Sequence, residues 1–305
     1  MSAKPATQEQ WHANRSRNVG ASEVAALFGV SPYTSRFTLW HQKAGNIAAP
    51  PFESERMEWG NELEPVIAKV LAKRQGWNIR NVKRYMTHST IKGMGASLDY
   101  EIFGQPDGPG CFEIKNLDYA SFKRGWIVNE DGSVEAPMHI ELQLQHQMAV
   151  SGYQWGAFGY LVNGNEGKVV IRNRHEPTIQ RIEEEVSRFW ASIEKNEVPD
   201  VQDSGDLAAL SQLFSGSSMV TVEDEKFIDL VSEYQLLQAD AKTLESKKEA
   251  AKARLIDFID KQGAEVATGY GYTVSYKQQS RKETVMKASS FRVLRVSEVK
   301  GKKDV

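Results

Sequence analysis

Charged side chains interrupt two neighbouring apolar stretches between residues 94 and 116. Asp99 lies in the first stretch, Glu113 and Lys115 lie in the second, and the segment between them is dense in Gly, Pro and Asp. This pattern predicts a β-hairpin. Because side chains alternate along a strand, Glu113 and Lys115 share one face, and a neighbouring strand can bring Asp99 beside them. Charge in such strands is costly unless a partner or a metal compensates it.

Two carboxylates and one ammonium on rigid strands suit metal-assisted hydrolysis of a phosphodiester. Carboxylate oxygens are ligands that Mg²⁺ prefers, and the ion polarises a phosphate and lowers the pKa of a bound water. Lys115 can orient or deprotonate that water. The alternative interpretation is a plain ion pair between Glu113 and Lys115 on a solvated face.

The composition limits the class of protein. The chain has 305 residues, 40% hydrophobic and 26% charged, which is typical of one large globular domain with an appendage. Its formal net charge of -2 argues against tight nonspecific nucleic-acid binding through bulk charge, but allows a local basic channel. The single Cys111 excludes a disulfide framework and a four-cysteine iron–sulfur cluster. Without a membrane-length apolar run or a signal-peptide core, we expect a cytoplasmic protein.

Two predicted helices before the hairpin carry candidate site residues. Arg15 precedes a short apolar helix, with Ser22 as a candidate N-cap and Gly29 at its end. A hydroxyl and a guanidinium near a helix N-terminus also suit a terminal phosphate. In the next helix, Glu62 and Glu64 lie about 200° apart around the axis, so only one of them can face a site.

Two further predicted elements, a strand and a helix, carry candidate site residues. Ser97 lies two residues before Asp99, and therefore on the same face of a strand. Gln143 and Gln147 lie four residues apart on one face of a predicted helix that begins near Pro137. A polar surface on that helix is the alternative interpretation of the glutamines.

These features resemble the YqaJ-like viral recombinases, phage exonucleases similar to lambda exonuclease within the PD-(D/E)xK nuclease superfamily. The resemblance covers roughly residues 8 to 200 and departs from the family where Leu98 replaces a proline. The motifs that carry it are Arg15 and Ser22 in NRSRNVGASEVAALFG, MEWGNELEP with Glu64, Asp99 followed by Glu113-Ile114-Lys115, and QLQHQM with Gln143.

The resemblance implies a role for each residue. Asp99 and Glu113 would bind two Mg²⁺ ions, or Mn²⁺ in their place, with the backbone carbonyl of Ile114 as a further ligand. The other catalytic residues would be Glu64, which acts through a water, and Lys115 and Gln143, which position or activate the attacking water. The residues that receive the 5′-phosphate of the DNA end would be Arg15, Ser22 and Ser97.

The resemblance also implies a fold and an activity. The fold is α/β (α+β), with a central mixed β-sheet flanked by helices. The activity is Mg²⁺-dependent 5′-to-3′ exonuclease action on double-stranded DNA ends, which leaves a 3′ single strand for annealing. The expected assembly is a ring-shaped homotrimer that works with a single-strand annealing protein. The protein itself would be encoded by a phage or prophage and act in a bacterial host cell. No membrane association is expected.

Two other functions stay open from the sequence. A structure-specific or restriction-type endonuclease shares the same core and would cut circular duplex. A catalytically silent DNA-binding or scaffold module would retain the fold without cleavage.

The composition changes after residue 200 and predicts three regions. Residues 1–200 form the exonuclease domain, 201–222 a linker, and 223–305 a C-terminal region with a long helix and a β-hairpin. Apolar or small residues recur at spacings of three and four from Phe227 to Phe258, and only Lys248 breaks the pattern. A helical hairpin, a coiled coil with another subunit, or a docking arm for a second protein would each cover this stripe.

Overall fold

The computed structural model describes residues 13–48, 54–82, 84–202, 204–216 and 219–280, together with residues 294 and 296. The chain divides into two compact units, one ending at Phe214 and the other beginning at Ser215. Among the described residues, no helix is both long enough and apolar enough to cross a membrane.

A mixed β-sheet forms the centre of the first unit. Five strands form it, in the order β1-β4-β5-β8-β9. Strands β5 and β8 are parallel and the other neighbours are antiparallel, which confirms the predicted mixed sheet. The described strands are β1 (Asn78–Asn81), β2 (Tyr85–Thr87), β3 (Gly95–Ser97), β4 (Tyr100–Phe103), β5 (Gly110–Leu117), β6 (Ile127–Val128), β7 (Val134–Glu135), β8 (Trp155–Val162), β9 (Glu166–Asn173), β10 (Val266–Gly269) and β11 (Tyr272–Ser275).

Helices pack on both faces of this sheet, each over its own hydrophobic cluster. Two short 3₁₀ helices, Val24–Phe28 and Ser204–Asp206, accompany them. The described α-helices are α1 (Arg36–Lys43), α2 (Glu55–Gln75), α3 (Tyr119–Gly125), α4 (Met138–Ser151), α5 (Glu176–Glu194), α6 (Leu207–Leu213) and α7 (Glu225–Asp260).

Strand β5 is buried on both faces. Phe112 and Ile114 belong to the hydrophobic cluster beneath α2, whereas Cys111 belongs to the cluster beneath α4 and α5. Because side chains alternate, Glu113 and Lys115 lie on the same face as Cys111 and point toward α4. The shared face of these two residues agrees with the strand pattern.

Helix α4 lies inside the unit and packs against β3, β5 and β8. Every residue from 142 to 150 is buried, including Gln143 at 9% exposure and Gln147 at 1%. A helix that is buried all round belongs to the core rather than the surface. The glutamines therefore do not form a solvated polar face.

Helix α2 begins and ends with well-defined caps. The Ser54 hydroxyl accepts a hydrogen bond from the Met57 amide, and Gly76 ends the helix with a φ of 69°. Pro65 lies inside the helix. Because proline has no N–H, the Asn61 carbonyl lacks its usual partner four residues later.

Residues 201–222, expected to be a linker, contain ordered structure that belongs to the first unit. Asp206 is fully buried, and its carboxylate accepts hydrogen bonds from the hydroxyls of Ser35 and Thr38. Ala209 on α6 packs with Phe37 and Ile47 in a small hydrophobic cluster. The small polar composition suggested a linker because these partners lie far away in the sequence.

The second unit consists of one long helix and a hairpin. Helix α7 runs from Glu225 to Asp260 and so contains the whole predicted stripe from Phe227 to Phe258. Strands β10 and β11 pair through Tyr270 and Gly271, which have φ values of 49° and 80°. Two consecutive positive φ values are typical of a tight two-residue hairpin turn.

Candidate active site

The β4–β5 hairpin places the candidate acidic residues next to each other. Tyr100 pairs with Phe112 in antiparallel register, so Asp99 precedes β4 at the level of Glu113. The Asp99 Oδ2 atom accepts a hydrogen bond of 2.9 Å from the Ile114 amide. This bond anchors Asp99 to the strand that carries Glu113 and Lys115.

Glu113 is held by three donors. Its Oε1 accepts hydrogen bonds from Lys115 Nζ at 2.7 Å and Gln143 Nε2 at 2.5 Å. Its Oε2 accepts one from Gln147 Nε2 at 2.6 Å. Gln143 Oε1 in turn accepts from Lys115 Nζ at 3.0 Å. The buried helix α4 thus fixes the rotamer of Glu113 through two amides one helical turn apart.

Glu64, Asp99, Glu113 and Lys115 are called the acidic cluster below. Burial raises the pKa of Asp99 well above its ordinary value, and the charges of Glu113 and Glu64 raise it further. Burial and the charge of Glu113 likewise raise the pKa of Glu64. Burial lowers the pKa of Lys115, but Glu113 and Asp99 outweigh it, so that pKa is raised. Negative charge is in excess at this site.

The acidic cluster lines a cavity of about 670 Å³. Glu64 reaches this cavity from α2, while Glu62 is exposed and is not among the lining residues of the described chain. Arg56 and Asp118 also line the cavity and pair with each other at 2.9 Å, so they add no net charge. The cavity therefore offers a concave, negatively charged surface.

The donors at this site suit a hard divalent cation. Within the described residues, no group of three or more His, Cys, Asp or Glu side chains is arranged as a metal site. Mg²⁺ does not need one, because it keeps several waters and commonly takes one or two protein carboxylates. Asp99 uses Oδ2 for the Ile114 amide, which leaves Oδ1, and Glu113 has a remaining lone pair on Oε2. Together with the Ile114 carbonyl, these oxygens fit the ion.

A second group of charges lies on the N-terminal segment. Arg15, Glu23 and Lys43 are called the basic cluster below. Glu23 Oε2 accepts from Lys43 Nζ at 2.8 Å, and Glu23 Oε1 accepts from Arg15 at 3.2 Å. Burial would raise the pKa of Glu23, but the charges of Lys43 and Arg15 outweigh it and lower that pKa. Two cations face one carboxylate, so this cluster carries excess positive charge.

The other two phosphate-site candidates lie near this segment of the fold. Ser22 is exposed, and the N-cap of the first 3₁₀ helix is Glu23 rather than Ser22. Ser97 pairs with Tyr85 in the β2–β3 ladder. Burial and the charge of Glu23 raise the pKa of Tyr85, and the charge of Arg15 opposes them, so the basic cluster is within electrostatic range of this ladder. Arg15, Ser22 and Ser97 do not line the 670 Å³ cavity of the described chain.

Three residues at these clusters were not chosen from the sequence. Gln147 binds Glu113 directly, and its spacing of four from Gln143 was the available signal. Glu23 follows Ser22 in the chain but resembles an ordinary helix-start residue. Lys43 lies 20 residues from Glu23, and nothing in the local sequence links the two.

Comparisons with known proteins give a consistent result. The sequence matches the YqaJ-like viral recombinase domain over residues 10–154. A relative from Bacillus subtilis (strain 168), called "Uncharacterized protein YqaJ", is 26% identical over 186 residues, which are 60% of this chain and 56% of that protein. The chain therefore spans little more than half the length of that relative.

Solved structures include a similar protein. LHK-Exo, an alkaline exonuclease from Laribacter hongkongensis, is 26% identical with a TM-score of 0.50, and the match covers 62% of this chain and 94% of that one. A structure of LHK-Exo in complex with dAMP matches with the same identity, coverage and TM-score. The match leaves more than a third of this chain uncovered.

Proposed function

We propose that the protein, whose residues 10–154 match the YqaJ-like viral recombinase domain, is a Mg²⁺-dependent exonuclease that degrades double-stranded DNA from its 5′ ends. The product would be a 3′ single strand suited to annealing. Similarity to the alkaline exonuclease LHK-Exo supports a nuclease. The complex of LHK-Exo with dAMP supports a site for a deoxynucleoside monophosphate, the unit that an exonuclease releases.

The excess of carboxylates in the acidic cluster is the observation that carries this proposal. Glu64, Asp99 and Glu113 repel one another, as the raised pKa values of Glu64 and Asp99 indicate. Such an arrangement favours a bound cation over an empty site. Carboxylates that converge on a cavity with one lysine suit hydrolysis of a phosphodiester.

The chain's residues would divide the work as follows. Asp99, Glu113 and the Ile114 carbonyl would hold the metal, and Glu64 would contact it through a water. The metal would polarise the scissile phosphate and lower the pKa of a bound water. Lys115 and Gln143 would orient that water, since both already donate to the same carboxylate oxygen.

The basic cluster would set the polarity of digestion. Arg15, with Ser22 and Ser97, would bind the 5′-phosphate of the end. A guanidinium forms strong, charge-assisted hydrogen bonds with phosphate. Glu23 and Lys43 hold Arg15 by its side chain and its carbonyl oxygen, so the guanidinium is pre-positioned.

Family resemblance further suggests the setting of this activity. We propose a homo-oligomer, of which a ring-shaped trimer around the duplex is one form, and a single-strand annealing protein that receives the 3′ strand. The cytoplasm of a bacterial host cell is the proposed location, and the protein would be encoded by a phage or prophage.

Digestion of linear duplex DNA with Mg²⁺ tests the proposal. One substrate has a 5′-phosphate at the end, one has a 5′-hydroxyl, and one is a closed circle. We expect rapid loss of the 5′-phosphorylated strand, slow loss of the hydroxyl substrate, and intact circles. The Lys115→Ala variant should be inactive on all of them.

The same experiment separates the alternatives. Cut circles would instead indicate an endonuclease of the same superfamily. Absence of metal-dependent cleavage from every substrate would indicate a DNA-binding module.

A further inference from the structure

Helix α7 exposes the apolar stripe that the sequence predicts. The stripe consists of heptad positions a and d from Phe227 to Phe258, and its large side chains are exposed by between 38% at Tyr234 and 69% at Leu244. The helix has 36 residues and is about 54 Å long. Nothing in the described chain covers this face, so it needs a partner.

The charges beside the stripe are ordered along the helix. At heptad position g, Glu233 and Asp240 lie in the first half, and Lys247 and Arg254 lie in the second half. Lys226 occupies the same position in the first turn of the helix. Within the described residues, none of the side chains at positions 233, 240, 247 and 254 forms an ion pair in its own chain. Other charges on this helix do pair locally, as Glu245 with Lys248 and Glu249 with Lys252.

We propose that α7 pairs with α7 of a second copy of this chain as an antiparallel coiled coil, with a two-fold axis between Lys242 and Thr243. In an antiparallel pair, g positions face g positions of the other helix. Glu233 then faces Arg254 of the second copy, and Asp240 faces Lys247. Symmetry makes each contact twice, so all four charges are neutralised.

The interior of this pair is also complementary. Position a of one helix packs against position d of the other, so Tyr234 meets Ala251 of the second copy and Ala241 meets Leu244. In these two layers a large and a small residue fill the space together, as close packing requires. Lys248 meets Leu237, along which its aliphatic stem can lie while its ammonium reaches solvent.

A parallel pair has none of these advantages. Position g would face position e of the other helix, which places Asp240 against Glu245 and Lys247 against Lys252. Lys248 would stack on its own copy in the interior. An antiparallel pair shifted by one heptad fails as well, because Asp240 or Lys247 would then face its own symmetry mate.

Two labelling positions on the full-length protein distinguish the arrangements. Asp229 and Thr243 both occupy heptad position c and are exposed, and the chain's own Cys111 is buried and so unreactive. Each is replaced by cysteine in turn and spin-labelled. The distance between the labels on two copies is then measured by double electron–electron resonance. The antiparallel pair predicts that Thr243→Cys labels lie side by side and that Asp229→Cys labels are separated by about 40 Å along the axis.

Charge exchange provides the second test. The variant Glu233→Lys with Asp240→Lys, and the variant Lys247→Glu with Arg254→Glu, should each lose self-association by at least tenfold. Mixed together they should regain it, because the contacts among positions 233, 240, 247 and 254 are again of opposite charge. The control Asp229→Lys with Asp260→Lys makes the same charge change at outer positions and should associate as the unchanged protein does.

Equal distances at the two label positions would overturn the proposal in favour of a parallel pair. If no defined distance between labels on two copies is detected at either position, the stripe binds a different partner and the proposal is overturned. Failure of the mixed charge variants to associate would overturn the register. None of these variants touches the acidic or basic cluster, so DNA digestion reports the proposed function separately.

Discussion

The first unit contains two lysine–glutamate pairs of nearly the same length that have opposite surroundings. Lys115 meets Glu113 at 2.7 Å, and Lys43 meets Glu23 at 2.8 Å. The first pair lies beside two more carboxylates in the acidic cluster. The second lies beside a guanidinium in the basic cluster. A close ion pair by itself therefore says little about function, and the charge that surrounds the pair says more.

The pKa directions express this difference. Burial and neighbouring carboxylates raise the pKa of Asp99 in the acidic cluster, whereas two cations overcome burial and lower the pKa of Glu23 in the basic cluster. The acidic cluster gains free energy from an added cation, and the basic cluster gains from an added anion. The proposed nuclease would use both clusters, one for a metal at the scissile phosphate and one for the phosphate at the DNA end.

Removal of one carboxylate from the acidic cluster should have the largest effect. Glu113→Gln should lower the rate of Mg²⁺-dependent digestion by roughly a thousandfold, because a metal ligand supplies several kcal/mol of stabilisation. The control is Glu101→Gln on β4, which is as buried as Glu113 at 5% but binds Arg80 and Tyr153. Comparable loss of activity in both variants would show that only general destabilisation was measured.

His146 shows the effect of burial on a base that forms no ion pair with a carboxylate of the described chain, in contrast to the lysines of the two clusters. His146 is fully buried, and burial lowers its pKa to about 4 from an ordinary value of 6.5. Between these pH values the unfolded chain binds the proton more tightly. The free energy of unfolding should therefore fall as pH falls from 6.5 to 4, by roughly 3 kcal/mol from this residue.

Denaturant unfolding of His146→Gln at both pH values measures this contribution. The variant should show a smaller loss of stability on acidification than the unchanged protein. His175→Gln replaces an exposed histidine and is the matched control. An unchanged slope in His146→Gln would contradict the assignment of a neutral buried imidazole.

The basic cluster should act on the DNA end alone. Arg15→Gln should reduce the preference for a 5′-phosphate over a 5′-hydroxyl by roughly 10- to 100-fold, the value of one hydrogen bond between charged groups. Digestion of the hydroxyl substrate should change little. Arg36→Gln is the control, since Arg36 is a partly buried arginine that binds Glu185 and the Leu27 carbonyl. A preference that survives Arg15→Gln would remove this residue from the phosphate site.

The amides that hold Glu113 should have the smallest effect. Gln147→Ala should raise the Mg²⁺ concentration needed for half-maximal digestion by about tenfold, as is typical when a residue that orients a metal ligand is lost. Gln145→Ala is the matched control, because Gln145 is also buried on α4 but binds the Asn173 carbonyl and the His175 amide. Equal shifts in the two variants would indicate a general effect on α4.

The sequence predicted well the features that depend on local periodicity. Strand alternation placed Glu113 and Lys115 on one face, and helical geometry separated Glu64 from Glu62. The same geometry put Gln143 and Gln147 on one face of α4. Helix α7 and the last hairpin also follow from their patterns, because helical periodicity and a two-residue turn are local features of the sequence.

Features that depend on distant partners were not predictable in this way. Asp206 is buried and accepts hydrogen bonds from Ser35 and Thr38, which lie far away in the sequence, and the sequence alone predicts a linker around it. The bond between Glu23 and Lys43 arises from the packing of α1 beside the first 3₁₀ helix. The sequence alone shows two ordinary charged residues there.

Binding of Mn²⁺, measured from the loss of its free electron paramagnetic resonance signal in the absence of DNA, tests the central claim most directly. The unchanged protein and Glu23→Gln should both bind the ion, because the acidic cluster is intact in each. Asp99→Asn should lose this binding. Equal Mn²⁺ binding by Asp99→Asn and the unchanged protein would contradict the account that the excess carboxylates form the metal site.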